Sequence, residues 1–369
     1  MTRDPILLAV DGLRIGGTER QLVELLKGMR SSGRHRIVLS VLDHGGELEA
    51  EAVANAAAVL PLRRRARFDC TPALFLLWQA RRARVGLIHA VGRMSGLASL
   101  PVARALGVPL INGSIRAAPV PLAPRDRLTR WCAVRSDWIV ANSRAGLIAH
   151  GLGDHPRAQV IANGIDLARF DRVVAADGDE PTICMVANFN VRKDHATVIR
   201  ALALVRAAIP AARLVLVGGD FGTLAASRHL AQSLGVGDAV CFVTDTPHPE
   251  SFVAVSRVCV LTSPSESLSN AIMEYMALGK PVIASDTCGD SAALLHDGDS
   301  GFLVPPEAPA AVAERIIALL GDPRRARAMG AAARRRVQEF SITRLVAAYE
   351  ALFDRFLTAP PAARTAGHR

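Results

Sequence analysis

Short unbroken apolar runs recur along this chain, and most are followed by longer stretches whose apolar positions repeat with helical spacing. In the first half the runs fall at residues 6–10, 37–42, 59–62, 87–90, 109–111, 138–141 and 159–161. In the second half they fall at 182–187, 213–217, 240–243, 258–261, 281–284 and 302–304. Most are continuous Val, Ile and Leu, not alternating apolar and polar. Such runs fit strands buried on both faces, as in parallel sheets. Strand and helix patterns taking turns predict an α/β, doubly wound architecture.

The pattern breaks at residues 175–181, Ala-Ala-Asp-Gly-Asp-Glu-Pro, where Gly178 and Pro181 punctuate a polar stretch and a new strand begins directly afterwards. This predicts two domains, 1–174 and 182–342, joined by a linker at 175–181. A last helix is expected over 343–357, and a frayed tail rich in Ala, Pro and Arg over 358–369. A length of 369 residues suits two domains.

Charge divides the halves. Residues 1–170 hold 24 Lys and Arg against 13 Asp and Glu, and the rest of the chain is close to balance. The net charge of +10 therefore belongs to the first half and suggests an anionic partner there, unless the arginines are simply solvated on helix faces. The six cysteines, Cys70, Cys132, Cys184, Cys241, Cys259 and Cys288, form no C-x-x-C pair and read as buried free thiols in a reducing compartment. No clustered Cys/His pattern suggests a metal. The apolar run at 6–10 is too short for a signal-peptide core, and no 18-residue uncharged apolar stretch exists. A cytoplasmic protein is expected.

The densest chemistry lies at residues 262–285. A strand, a small polar loop, a helix and a Gly279-Lys280-Pro281 stop follow one another. Glu266 stands before the helix and Glu274 in its second turn. Ligands of open α/β sheets bind at this end of the strands, and a helix N-terminus offers free N–H groups to a phosphate.

The string Pro-Ser-Glu-Ser-Leu-Ser-Asn-Ala-Ile-Met-Glu-Tyr-Met-Ala-Leu-Gly-Lys-Pro-Val at 264–282 resembles the E-x7-E element of the family 4 retaining glycosyltransferases of the GT-B fold. That resemblance implies two Rossmann-like domains with parallel sheets facing a central cleft, with the last helix crossing back to the first domain. It implies that Glu266 faces the donor sugar and Glu274 holds the ribose hydroxyls, with Leu268, Ser269 and Asn270 beside the donor. The loop Gly16-Gly17-Thr18-Glu19 is similar to a family "GG-x-E" loop near donor phosphates and acceptor. Without the resemblance it reads equally as a turn, with Thr18 capping the following helix. Asn163-Gly164-Ile165-Asp166 resembles the family's "NG-[IV]-D". Gly218 lies in a "VG-x-G"-like turn near the nucleotide. Lys193 aligns with the lysine that neutralises the donor diphosphate. Asn188 occupies the position of the family's arginine, a departure that Arg192 can offset unless it is a solvated loop residue. In the first half His89, Ser114 and Arg116 are acceptor-side candidates, though His89 fits a satisfied core histidine as well.

The implied activity is transfer of a sugar from a nucleotide-diphosphate donor, with UDP favoured over GDP, to a saccharide or lipid-linked acceptor. Retention is implied, with no metal and no cofactor, in cell-surface polysaccharide or glycolipid synthesis. Two other readings stay open: a catalytically degenerate scaffold in a polysaccharide-assembly complex, motivated by Asn188 and Ser267, and a nucleotide-sugar epimerase. Asp-Gly-Asp at 177–179 and 297–299 reads as turns, not as metal ligands. Residues 62–84 set Arg63, Arg64, Arg65, Arg67, Arg81, Arg82 and Arg84 around Leu74, Phe75, Leu77 and Trp78, a pattern suited to an anionic membrane surface or to an amphipathic helix packed on its own sheet. No nucleic-acid recognition module is present.

Overall fold

The computed structural model describes residues 4–14, 16–62, 71–118, 120–173, 180–264, 266–286 and 290–358. The chain divides into two compact units: unit 1 contains residues up to Gly164 together with those from Ile342 onward, and unit 2 is Ile165–Ser341.

Unit 1 carries a parallel sheet of seven strands: β1 (Ile6–Gly12), β2 (Ile37–Asp43), β3 (Ala58–Val59), β4 (Leu87–Val91), β5 (Leu110–Ile115), β6 (Trp138–Ala141) and β7 (Ala158–Val160), in the order β3-β2-β1-β4-β5-β6-β7. Its helices are α1 (Gly17–Ser32), α2 (Glu49–Asn55), α3 (Thr71–Arg82), α4 (Arg93–Leu106), α5 (Pro124–Ala133) and α6 (Arg144–Ala149), with the last helix of the chain added below. Side chains of β1, β2 and β4 are buried on both sides, which is why these strands read as continuous apolar runs. One core joins the sheet to α1, α2 and the C-terminal helix, and another joins it to α3, α4 and α5.

Unit 2 begins with α7 (Leu167–Asp171) and holds a six-stranded parallel sheet: β8 (Thr182–Val186), β9 (Arg213–Val217), β10 (Val240–Val243), β11 (Val258–Leu261), β12 (Val282–Ser285) and β13 (Phe302–Val304), in the order β10-β9-β8-β11-β12-β13. Its helices are α8 (His195–Ala208), α9 (Leu224–Ser233), α10 (Pro249–Val255), α11 (Asn270–Ala277), α12 (Ser291–Leu294), α13 (Pro309–Gly321) and α14 (Pro323–Arg336). The final helix, α15 (Ile342–Leu357), lies in unit 1 against α1. Gly28 of α1 permits that approach, since a Cβ there would overlap Val346.

The first boundary falls at Gly164, not at residue 174. Residues 165–173 belong to unit 2 because Arg169 pairs with Glu250 at 3.1 Å and Asp171 with Arg334. Most of the linker expected at 175–181 lies outside the described residues, as do 359–369. Strand β5 runs past the apolar run at 109–111 and on to Ile115 through Asn112-Gly113-Ser114. Its register with β6 shifts between Asn112 and Ile115. At one edge of the sheet β3 covers only Ala58–Val59, ahead of Pro61, which has no N–H for a ladder.

Candidate active site

In unit 2, β8 and β11 are neighbours whose next strands lie on opposite sides, so their loops open at the reversal of strand order, where open α/β sheets take ligands. The loop after β8 runs from Ala187 to Asp194, whose carboxylate accepts from the Thr197 N–H at 3.2 Å and caps α8. The loop after β11 runs to Ser269, whose hydroxyl accepts from the Ile272 N–H at 3.4 Å and caps α11. The Thr262 hydroxyl ties the two loops by donating to the Asp194 carbonyl at 2.8 Å. Across this junction the Lys193 ammonium pairs with the Glu266 carboxylate. Their side chains are only 26% and 15% exposed, so water screens the pair weakly.

The surroundings hold this pair in place. Beyond Cys184 the register between β8 and β11 lapses, and the buried Tyr275 hydroxyl of α11 accepts the Val186 N–H at 2.6 Å instead. That bond fixes α11 against the end of β8. Gly218 lies so close to the Ala187 carbonyl that a Cβ would overlap it. Asn188 turns its side-chain oxygen onto the Gly219 N–H at 3.1 Å, so it shapes the loop and brings no charge. Arg192 is exposed, and its backbone N–H bonds to the Asn190 side chain at 3.0 Å. Leu268 and Ser269 are buried, and Asn270 is the first residue of α11. Glu274 is half-buried one turn further on. Phe189 stacks on His195 at 4.4 Å, and burial pushes the His195 imidazole down to about 4, so it stays neutral.

Residues 15–169 match the family described as Glycosyltransferase Family 4, and residues 168–336 match Glycosyl transferases group 1. The chain is 30% identical over 304 residues to the D-inositol 3-phosphate glycosyltransferase of Jonesia denitrificans, an alignment spanning 72% of this chain and 71% of that one. The chain is a family 4, group 1 glycosyltransferase. It is also 30% identical over 201 residues to the putative glycosyltransferase EpsD of Bacillus subtilis, covering 53% of this glycosyltransferase and 51% of that relative. Among solved structures, Anabaena Alr3699/HepE in complex with UDP superposes with a TM-score of 0.82 at 19% identity, covering 95% of this chain and all of that one. The fold of this glycosyltransferase is GT-B.

In unit 1 the glycosyltransferase departs from several expectations. His89 is fully buried in β4, packed against Tyr349 and Phe353 of α15, and burial lowers its pKa to about 4. It is a core residue and cannot reach an acceptor. Ser114 donates to the Gly92 carbonyl at 2.7 Å and accepts the Gly92 N–H at 3.1 Å, stitching β5 to the loop after β4. Thr18 does not cap α1: the helix starts at Gly17, after Gly16. The Thr18 hydroxyl instead accepts from the Arg116 guanidinium at 3.4 Å. Arg116 also donates to the carbonyls of Gly113 and Ile115 and lines a cavity of 30 Å³ with Gln21, Asn142, Asn163 and Tyr349, too small for a sugar.

A larger cavity of 560 Å³ lies at the ends of β1 and β2, lined by Asp11, Arg14, Glu19, Asp43 and His44. Glu19 was not singled out from the sequence, although it closes the Gly-Gly-Thr-Glu segment. A Cβ on Gly16 would overlap its carboxylate, and burial raises its pKa. Asp11, also missed, accepts the N–H groups of Met94 and Ser95 at 3.2 and 2.7 Å, at the start of α4.

Cys132, Cys184 and Cys259 are buried, and burial pushes the Cys132 and Cys184 thiols up to about 11 and about 12. Cys241 is exposed on the edge strand β10, contrary to the reading of buried thiols. Cys70, Cys288 and the Asp-Gly-Asp at 177–179 lie outside the described residues. The second Asp-Gly-Asp is a turn in which Asp297 accepts the Leu303 N–H at 2.9 Å. Among the described residues no three His, Cys, Asp or Glu side chains group as metal ligands, and no helix is long and apolar enough to cross a membrane.

Proposed function

We propose that this glycosyltransferase moves a hexosyl group, with retention at the anomeric carbon, from a uridine-diphosphate sugar to a saccharide or lipid-linked acceptor in cell-surface polysaccharide or glycolipid synthesis. The observation that carries this reading is the Lys193–Glu266 pair beside the start of α11, at the strand-order reversal of unit 2. The bond from the anomeric carbon to the diphosphate breaks, and the acceptor oxygen attacks the same face. The acceptor proton passes to the departing phosphate oxygen. Lys193 and the first N–H groups of α11 meet the charge developing on that phosphate, so no metal is assigned to the step. Glu266 orients the sugar and Glu274 the ribose. The choice of UDP draws on the Anabaena neighbour, which is known with UDP and with UDP-glucose.

Asn188 favours a second reading, a scaffold that binds nucleotide without turnover, because it accepts the Gly219 N–H at a position where the family pattern resembled by the sequence has an arginine. Calorimetry with UDP, GDP, ADP and TDP in the presence of EDTA tests both. The expected result is UDP binding without metal, weakened about tenfold or more in Glu274→Ala. Binding that requires a metal overturns the metal-free assignment. UDP binding with no sugar transfer to any acceptor favours the scaffold.

A further inference from the structure

Two layers of helices cover the two faces of the unit 1 sheet, and they differ in charge. On one side, α1, α2 and α15 mix acids and bases, joined by ion pairs such as Lys27 with Glu24 and Glu51, and Arg34 with Asp354. On the other side α4 packs between α3 and α5. From residue 71 to residue 136, the stretch that supplies this layer, there are ten arginines, no lysine and one acid, Asp126; of the ten, Arg116 turns away to Thr18 of α1.

The outward stripes of the flanking helices are apolar as well as basic. On α3, Leu76, Gln79 and Ala80 face the core, while Leu74 (71% exposed), Phe75, Trp78 (57%), Arg81 and Arg82 follow at helical spacing on the other side. Phe75 and Trp78 stack at 5.8 Å, and the Arg82 guanidinium lies 5.9 Å from the Trp78 ring. On α5, Cys132 and Ala133 face inward, while Arg127, Leu128 and Trp131 (44%) face outward, and just past its end Arg135 lies over the Trp131 ring at 4.3 Å. Between them α4 exposes Pro101, Arg104 and Ala105.

We infer that this α3–α4–α5 face docks on an anionic phospholipid surface. Indole and phenyl rings flanked by guanidinium groups match the depth profile of a headgroup layer: rings at the acyl boundary and cations at the phosphates above it. Guanidinium groups bind phosphate oxygens in pairs, which suits an all-arginine face. The stretch around α3 suggested such contact from the sequence. The structure adds α5 to the same face, so the surface spans three helices and does not depend on the arginines at 63–67, which lie outside the described residues. The inference does not rest on the transfer reaction.

The test is co-sedimentation of the full chain with phosphatidylcholine vesicles and with mixed phosphatidylcholine–phosphatidylglycerol vesicles. The expected result is binding to the mixed vesicles alone, weakened by salt. A variant carrying Trp78→Ser, Arg81→Gln, Arg82→Gln and Trp131→Ser should lose affinity by about tenfold or more, while UDP binding and Tm stay at wild-type values because these side chains are exposed. Lys27→Gln with Arg30→Gln, on the opposite layer, should leave vesicle binding unchanged. Three results would each overturn the inference: no wild-type binding to anionic vesicles, equal losses from both sets of changes, or a four-residue variant that dissociates a wild-type dimer in sedimentation velocity while binding vesicles normally. The last would give the face to a second copy of the chain.

Discussion

Each sheet reverses its strand order between its first strand and its fourth, and the two reversals are finished differently. Between β1 and β4, the Asp11 carboxylate reaches across to the N–H groups of Met94 and Ser95, so the start of α4 already holds an anion from its own chain. Between β8 and β11, the start of α11 is capped by the neutral hydroxyl of Ser269, and the charges nearby are Lys193 and Glu266. A helix N-terminus satisfied by a carboxylate has little left for a phosphate, whereas one capped by serine keeps its positive end. The same topology thus yields an internally closed junction in unit 1 and, in unit 2, a helix start capped without charge, the place the proposed reaction gives to the diphosphate.

The strongest way to break this contrast is Glu266→Gln. It should lower kcat/KM for sugar transfer by about 10²- to 10³-fold with Tm preserved. A wild-type rate in that variant would remove unit 2's junction from the chemistry.

The units should be alike in their response to acid. His89 in unit 1 and His195 in unit 2 are both held near 4 by burial, against 6.5 for a free side chain. Above pH 6.5 each is neutral whether folded or unfolded. As the pH falls from 6.5 towards 4 the unfolded chain takes up protons that the folded chain refuses. Each site can therefore cost up to roughly 3 kcal/mol by pH 4. Thermal unfolding followed from pH 7 to pH 4.5 should show Tm falling steadily, and a flat profile would mean that both rings accept protons in the folded state.

A smaller change should make unit 2 imitate unit 1. Ser269→Asp keeps a good helix cap but sets a carboxylate at the start of α11, as Asp11 does at α4. UDP affinity should fall about fivefold to tenfold with little change in Tm, since such charge–dipole terms are worth about 1 kcal/mol. Unchanged affinity by calorimetry would show that the α11 terminus does not meet the diphosphate.

The sheets were legible in the sequence because a strand buried on both faces needs an unbroken apolar run, and β6, β11 and β13 begin and end where those runs do; the more exposed β9 and β10 match theirs as well. The pairing of Lys193 with Glu266 was half legible. Motif spacing located each residue, but that they meet depends on the adjacency of β8 and β11. Asp11 and Tyr275 were illegible because their partners are backbone N–H groups far away in sequence, at Met94, Ser95 and Val186. His89 misled for a related reason. A polar residue within a short apolar run looks functional, but the rings of Tyr349 and Phe353, some 260 residues later, cover it in the middle of β4. Boundaries failed where pairing outweighed local punctuation: Gly178 and Pro181 mark a break, yet the ion pairs of Arg169 and Asp171 had already committed the chain to unit 2.

The seat of α15 on α1 sets an order of events on the ribosome. Residues 165–341 are contiguous, so unit 2 can complete itself as soon as it leaves the exit tunnel. Unit 1 cannot. Its apolar α1 face, with Leu22, Leu25 and Met29, shares a core with Val346, Leu352 and Phe353. Those partners emerge only after all of unit 2 has been translated, on the order of ten seconds later at ordinary synthesis rates. During that interval the nascent chain carries an unsheathed apolar surface of the kind that recruits chaperones. The domain made first is finished last.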